Sequence, residues 1–80
     1  MPQEKIIDQI LQERKRQDMK WGIQNHNHAN WLLILTEEIG EAAKEANEIH
    51  FRDGDVEKLK TELIQSAAVI VSWLENIERR

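Results

Sequence analysis

The sequence contains no cysteine and no tyrosine, one proline, three glycines and one phenylalanine. Without cysteine, disulfides and thiolate metal sites are excluded and the redox compartment is left open. So few glycines and prolines leave little turn chemistry to punctuate a chain of short strands, and the composition reads as helical. Long apolar runs are also missing. Nothing approaches the roughly 20 residues a bilayer-spanning helix needs, and no signal-peptide pattern opens the chain. A cytoplasmic protein with no membrane partner is expected. Positive charge is in the minority, 11 Lys and Arg against 15 Asp and Glu, for a net charge of −4. That balance argues against a broad basic surface gripping a nucleic acid polymer. It leaves open a phosphate-bearing small molecule, because a bound cation inverts the local field.

What the chain does have is helical periodicity over most of its 80 residues. Its length sets one domain, residues 1–80, with a modest core of the kind often completed by a metal or a partner chain. Ile6, Ile7, Ile10 and Leu11 predict a first helix over about 3–18, with Pro2 at its start. The stripe is narrow, so this helix should lie on the surface of something larger. Lys20-Trp21-Gly22 breaks the pattern, and the Asn- and His-rich stretch to His28 reads as an ordered loop. Trp21 there is either a platform for a flat ligand or a cap on the core.

A second helix is predicted over about 29–50, with Leu32, Leu35, Ile39, Ala42, Ala46 and Ile49 as its packed seam. Arg52-Asp53-Gly54-Asp55 forms the turn, with Gly54 suited to the position after a helix and Asp55 to an N-cap. A third helix follows over about 56–78, with Leu63, Ala67, Ile70, Leu74 and Ile77 on its stripe. A short connection between long helices implies an antiparallel hairpin. The expected fold is therefore all-α: a helical hairpin plus an N-terminal helix. Residues 31–35 and 67–71 are apolar on nearly every face, more than one hairpin and a thin helix can cover. A multi-helix bundle built as a homo-oligomer, a homodimer or homotetramer, follows.

Within this pattern the polar residues are unevenly placed. Glu38 and Glu41 are three apart on the second helix, and Glu62 and Gln65 are three apart on the third. Residues at that spacing project from the same side, so each pair presents two oxygens to one point. Facing each other, the pairs would make a cage of hard oxygen donors suited to a divalent cation. The alternative is a set of solvated helix-face glutamates, which is how most such pairs behave. Both pairs flank apolar stripes, though, and burying carboxylates is costly unless they are paired or bind metal. Counting from Gly54, the pairs are offset by about one to one and a half turns, which long side chains can close.

Glu37-Glu38-x-x-Glu41, twenty residues, then Glu62-x-x-Gln65 resembles the signature of the MazG-like all-α nucleoside triphosphate pyrophosphohydrolases. Lys20-Trp21-Gly22, Gln24-Asn25-His26, Trp31-Leu32, and Glu62 through Val69 followed by Trp73-Leu74-Glu75 are similar to short bacterial and phage members. The resemblance covers nearly the whole chain. It implies Mg²⁺-dependent hydrolysis of a nucleoside triphosphate to the monophosphate and pyrophosphate, with Mn²⁺ as a second usable ion. Carried over by position, Glu38, Glu41, Glu62 and Gln65 are metal ligands, and Glu37 and Glu38 are the catalytic pair, Glu37 orienting water. A metal-free carboxylate, Glu37 or Glu45, would take the proton from that water. Substrate-binding candidates are Trp21, Asn25 and His28 for the base, and Lys58 and Asn76 for phosphate or sugar. His26 and His50 are expected at the surface without a role. Gln65 departs from the family pattern, which has Asp there. An amide oxygen ligates Mg²⁺ but brings no charge. A non-catalytic helical oligomer that binds a nucleotide or a protein partner is the competing reading, and a purely structural module is the third.

Overall fold

The computed structural model describes Met1 to Arg80 as three α-helices without a strand. Helix α1 spans Pro2–Trp21, α2 spans His28–Phe51 and α3 spans Val56–Glu78. The all-α expectation holds, with α1 running further than its apolar stripe suggests. Lys20 and Trp21 stay helical, and the chain leaves α1 at Gly22, whose φ of 73° is a conformation side chains disfavour. The side chain of Asn27 caps α2 by accepting from the Asn30 N–H at 2.8 Å. Asp55 caps α3 in the same way through the Glu57 N–H at 2.9 Å.

Gly54 has a different purpose from the expected one. Its φ is not positive. A Cβ there would lie 2.7 Å from the backbone of Glu48 and Ile49, so the residue permits a close return of the turn onto the end of α2.

Helix α3 is the central element. Helices α1 and α2 each pack against it and not against each other, which leaves a cleft with α3 as its floor. The apolar stripe of α1 is only part of its docking face. Ile6, Ile7 and Leu11 remain half-exposed, while Arg14 is buried. Arg14 donates from Nε to Glu75 Oε1 at 2.8 Å and from its terminal nitrogen to Asp18, tying α1 to α3 across 61 residues of sequence. Such a buried, multiply bonded guanidinium fixes position more than it adds stability.

The expected seam of α2 is also displaced. Of its six residues only Ala42 is buried, whereas Leu32 is 55% and Ile39 48% exposed. The side of α2 that meets α3 carries Trp31, Glu38, Ala42 and Glu45. At 100° per residue, Leu32, Ile39 and Ala46 lie about a quarter-turn away from it. On α3, Leu63, Ile70 and Leu74 lie about half a turn from Gln65, Val69 and Ser72, on the side opposite the cleft. The back of the hairpin thus presents apolar side chains from both helices to solvent. The accessible surface is 6074 Å² for 9.5 kDa. Folded monomers of that mass expose about 5,000 Å². No helix is long and apolar enough to cross a membrane.

Candidate functional site

The hairpin closes the gap between the two acidic stretches. Glu38 and Glu41 from α2 and Glu62 from α3 each offer a carboxylate oxygen, and these lie within 4.8 Å of one another. Glu38 and Glu62 are half-buried, and Glu41 is exposed. One oxygen of Glu38 and one of Glu62 are fully buried without a hydrogen-bond partner. Native proteins rarely leave such atoms unpaired. Burial pushes the Glu38 carboxyl above the ordinary value of 4.5, and the neighbouring Glu41, Glu13 and Glu37 add to the rise. Burial likewise raises Glu62, and the adjacent Glu41 carboxyl and the charges of Glu38 and Glu45 add to the rise. Glu37 is exposed and lies outside the trio, close enough for its charge to act on Glu38.

Gln65 lines the same cleft as Glu38, on its floor with Val69 and Ser72. The cleft holds about 260 Å³, with Trp31, Ile34 and Glu38 on the α2 wall. The α1 wall carries Glu13, Arg16, Lys20 and Trp21, of which only Trp21 stood out in the sequence. Arg16 donates to both oxygens of Glu13, each at 2.7 Å. That hydrogen bond is the main cause holding Glu13 below the usual glutamate range. A helix whose sequence signals only a narrow apolar stripe gives no cue that its polar side borders a site made by two other helices. Trp21 is 62% exposed at the cleft mouth, with the Lys20 ammonium 4.8 Å from its ring centroid.

The other sequence candidates lie elsewhere. Asn76 is 2% exposed, and its amide is engaged on both sides. Its oxygen accepts from Trp31 Nε1 at 2.7 Å and from the His26 backbone N–H at 3.2 Å, and its nitrogen donates to Asn25 Oδ1 at 2.9 Å. The pair Asn25–Asn76 therefore pins the loop before α2 onto α3, and burial keeps Asn76 out of reach of a phosphate or sugar. His28 is held by Trp73, whose ring N–H donates to Nδ1 at 3.0 Å. Lys58 is exposed near the hairpin turn, beside Glu48 and Asp53, away from the α1–α2 cleft. His26 is not a bare surface residue: it is half-buried, edge-on to Trp31 at 4.8 Å between ring centroids. Sequence spacing misses this network because its members are 45 to 51 residues apart.

No family model matches the chain, and neither the curated proteins nor the solved structures contain a match to it.

Proposed function

We propose that the protein is a divalent-cation-dependent nucleoside triphosphate pyrophosphohydrolase of nucleotide-housecleaning type. The observation that carries the reading is the pair of buried, unpartnered oxygens on Glu38 and Glu62 within a three-carboxylate cluster. Hard oxygen donors from two helices, with Gln65 one turn further along α3 from Glu62, fit Mg²⁺ or Mn²⁺. Held by Glu38, Glu41, Glu62 and the Gln65 amide oxygen, the ion would supply charge neutralisation at the phosphate oxygens. In the reaction a water oxygen bonds to the α-phosphorus and the α–β bridging bond breaks. Pyrophosphate leaves with the electron pair. Glu37 and Glu45 border the trio without belonging to it, so either carboxylate is available to orient the water and accept its proton. Trp21, exposed at the cleft mouth, supplies a flat surface for the base.

A second copy of the chain covers the back of the hairpin in this reading. The surface excess of about 1,000 Å² over a typical monomer is of the size each partner buries in a standard interface, about 800 Å². Ile70→Lys should then shift the sedimentation of the protein toward the monomer.

Incubation with a panel of ribo- and deoxyribonucleoside triphosphates and Mg²⁺ tests the reading. Pyrophosphate release that disappears in Glu38→Ala and Glu62→Ala is the expected result. If no triphosphate is turned over, catalysis is refuted. The uncharged Gln65 favours one alternative, a non-catalytic helical oligomer that binds nucleotide. That protein would melt higher with Mg²⁺ and nucleotide while releasing no pyrophosphate.

A further inference from the structure

We infer that Arg16 contacts the polyphosphate of the ligand, so that α1 supplies the cationic wall of a site whose anionic wall comes from α2 and α3. The inference deepens the proposed function and rests on it for the class of ligand. Charge is unevenly distributed across the cleft. Glu38 lies on the α2 side, while the α1 side carries Arg16, Lys20 and Glu13, a net positive charge even with Glu13 paired to Arg16. A metal–polyphosphate complex carries the matching pattern, a cation for the carboxylates and phosphate oxygens for the guanidinium. Arg16 is prepared for that contact. Of the five N–H groups of a guanidinium, Arg16 gives one from Nε and one from a terminal nitrogen to Glu13. The three remaining donors, at the outer edge of the fork, make no bond within the protein. This bidentate hold fixes the plane of the fork while leaving free the edge that matches phosphate geometry. The side chain is 53% exposed, so a ligand can reach it without displacing buried structure. A volume of about 260 Å³ suits a short run of phosphates, with the rest of a nucleotide extending toward Trp21.

Calorimetric titration of the full chain with inorganic tripolyphosphate in saturating Mg²⁺ tests this directly. Charge-assisted hydrogen bonds contribute enough that Arg16→Gln should weaken binding about tenfold or more. Arg16→Lys should fall between Gln and wild type, keeping the charge and losing the fork. Arg52→Gln, at the far end of the hairpin and paired with Glu48, should stay within about twofold, reporting the effect of net charge alone. Tripolyphosphate that fails to bind wild type overturns the inference. So does an affinity in Arg16→Gln within about twofold of wild type, or an equal loss in Arg52→Gln. A change in Mg²⁺ affinity alone would make Arg16 a modulator of Glu38 and likewise overturn it. Binding that depends on Arg16 in a protein that hydrolyses no triphosphate supports the inference while refuting catalysis. Turnover unaffected by Arg16→Gln does the reverse.

Discussion

Glu62→Gln should reverse the order of stability of wild type and variant between metal-free and Mg²⁺ conditions. Glu62 has the Glu38 and Glu41 carboxylates within 4.8 Å. Two like charges at that distance repel by about 0.9 kcal/mol in bulk water and about 3.5 kcal/mol at an effective dielectric of 20. Glu41 is exposed and its share is screened toward the lower figure, while Glu38 is half-buried and retains more. The same repulsion, with burial, holds the Glu62 carboxyl above its ordinary value. Removing the charge while keeping the shape should therefore stabilise the metal-free protein at pH 7 by about 1–2 kcal/mol. In a domain of this length that raises the melting temperature by roughly 5–15 °C. In Mg²⁺ at a hundred times its dissociation constant, wild type gains about 2.7 kcal/mol and the variant, with an uncharged amide in place of a carboxylate ligand, gains much less. Thermal melts followed by helical circular dichroism, at matched protein concentration in EDTA and in Mg²⁺, measure both terms. A variant that melts no higher than wild type in EDTA refutes the electrostatic account. Equal Mg²⁺ responses in the two proteins refute the ligand role of Glu62.

Lowering the pH should act on the metal-free protein like the mutation. Glu38 and Glu62 titrate above 4.5 in the native state. Their repulsion is complete above the raised values and is relieved as pH falls through them, so urea midpoints should rise as the pH is lowered from 7 into that range. Glu13, held low by Arg16, works in the opposite sense: its contribution is present above 4.5 and is lost as pH falls further. The rise should be absent in the Glu38→Gln, Glu62→Gln double variant. Asn76→Leu strands the Trp31 and His26 N–H groups and should cost about 2–5 kcal/mol in urea unfolding, whereas Asn76→Asp keeps the acceptor and should cost about 1–2 kcal/mol. Equal costs would mean the loop is held by something other than this amide oxygen. Gln65→Asp adds a charge to the cleft and should tighten Mg²⁺ binding measured by calorimetry. Weaker binding would remove Gln65 from the ligand set.

The elements that local sequence determines were legible. Asp55 stands where α3 needs a cap, and the three-residue spacings at Glu38/Glu41 and Glu62/Gln65 fix which side chains share a side. Those spacings and the short turn permitted the convergence of Glu38, Glu41 and Glu62, and the structure closes the offset of about one to one and a half turns that the count left between the pairs. What an apolar stripe faces was not legible. Leu32, Ile39 and Ala46 have the period of a packed seam, yet α2 turns its carboxylate-bearing side to α3. Periodicity gives the direction of a stripe and not its neighbour. Glu13 and Arg16 were hidden for a related reason. They lie on the polar side of α1, and only the docking of α1 on α3 brings them to the cleft. Asn76 looked like a polar residue available for a ligand because its partners come from the other end of the sequence.

The packing of α1 on α3 alone has a kinetic consequence. The hairpin closes through the four residues 52–55, whereas the Arg14–Glu75 contact closes a loop of 61. The longer closure costs about 2.4 kcal/mol more in chain entropy. Pairing of α2 with α3 therefore precedes the arrival of α1, and α1 can detach without disturbing that pair. Amide exchange should report two cooperative units, with α1 opening at lower free energy than the hairpin. The three carboxylates belong wholly to the slower-exchanging unit. Arg16 and Lys20 belong to the other, so each opening of α1 leaves the acidic half of the cleft assembled and withdraws its positive half.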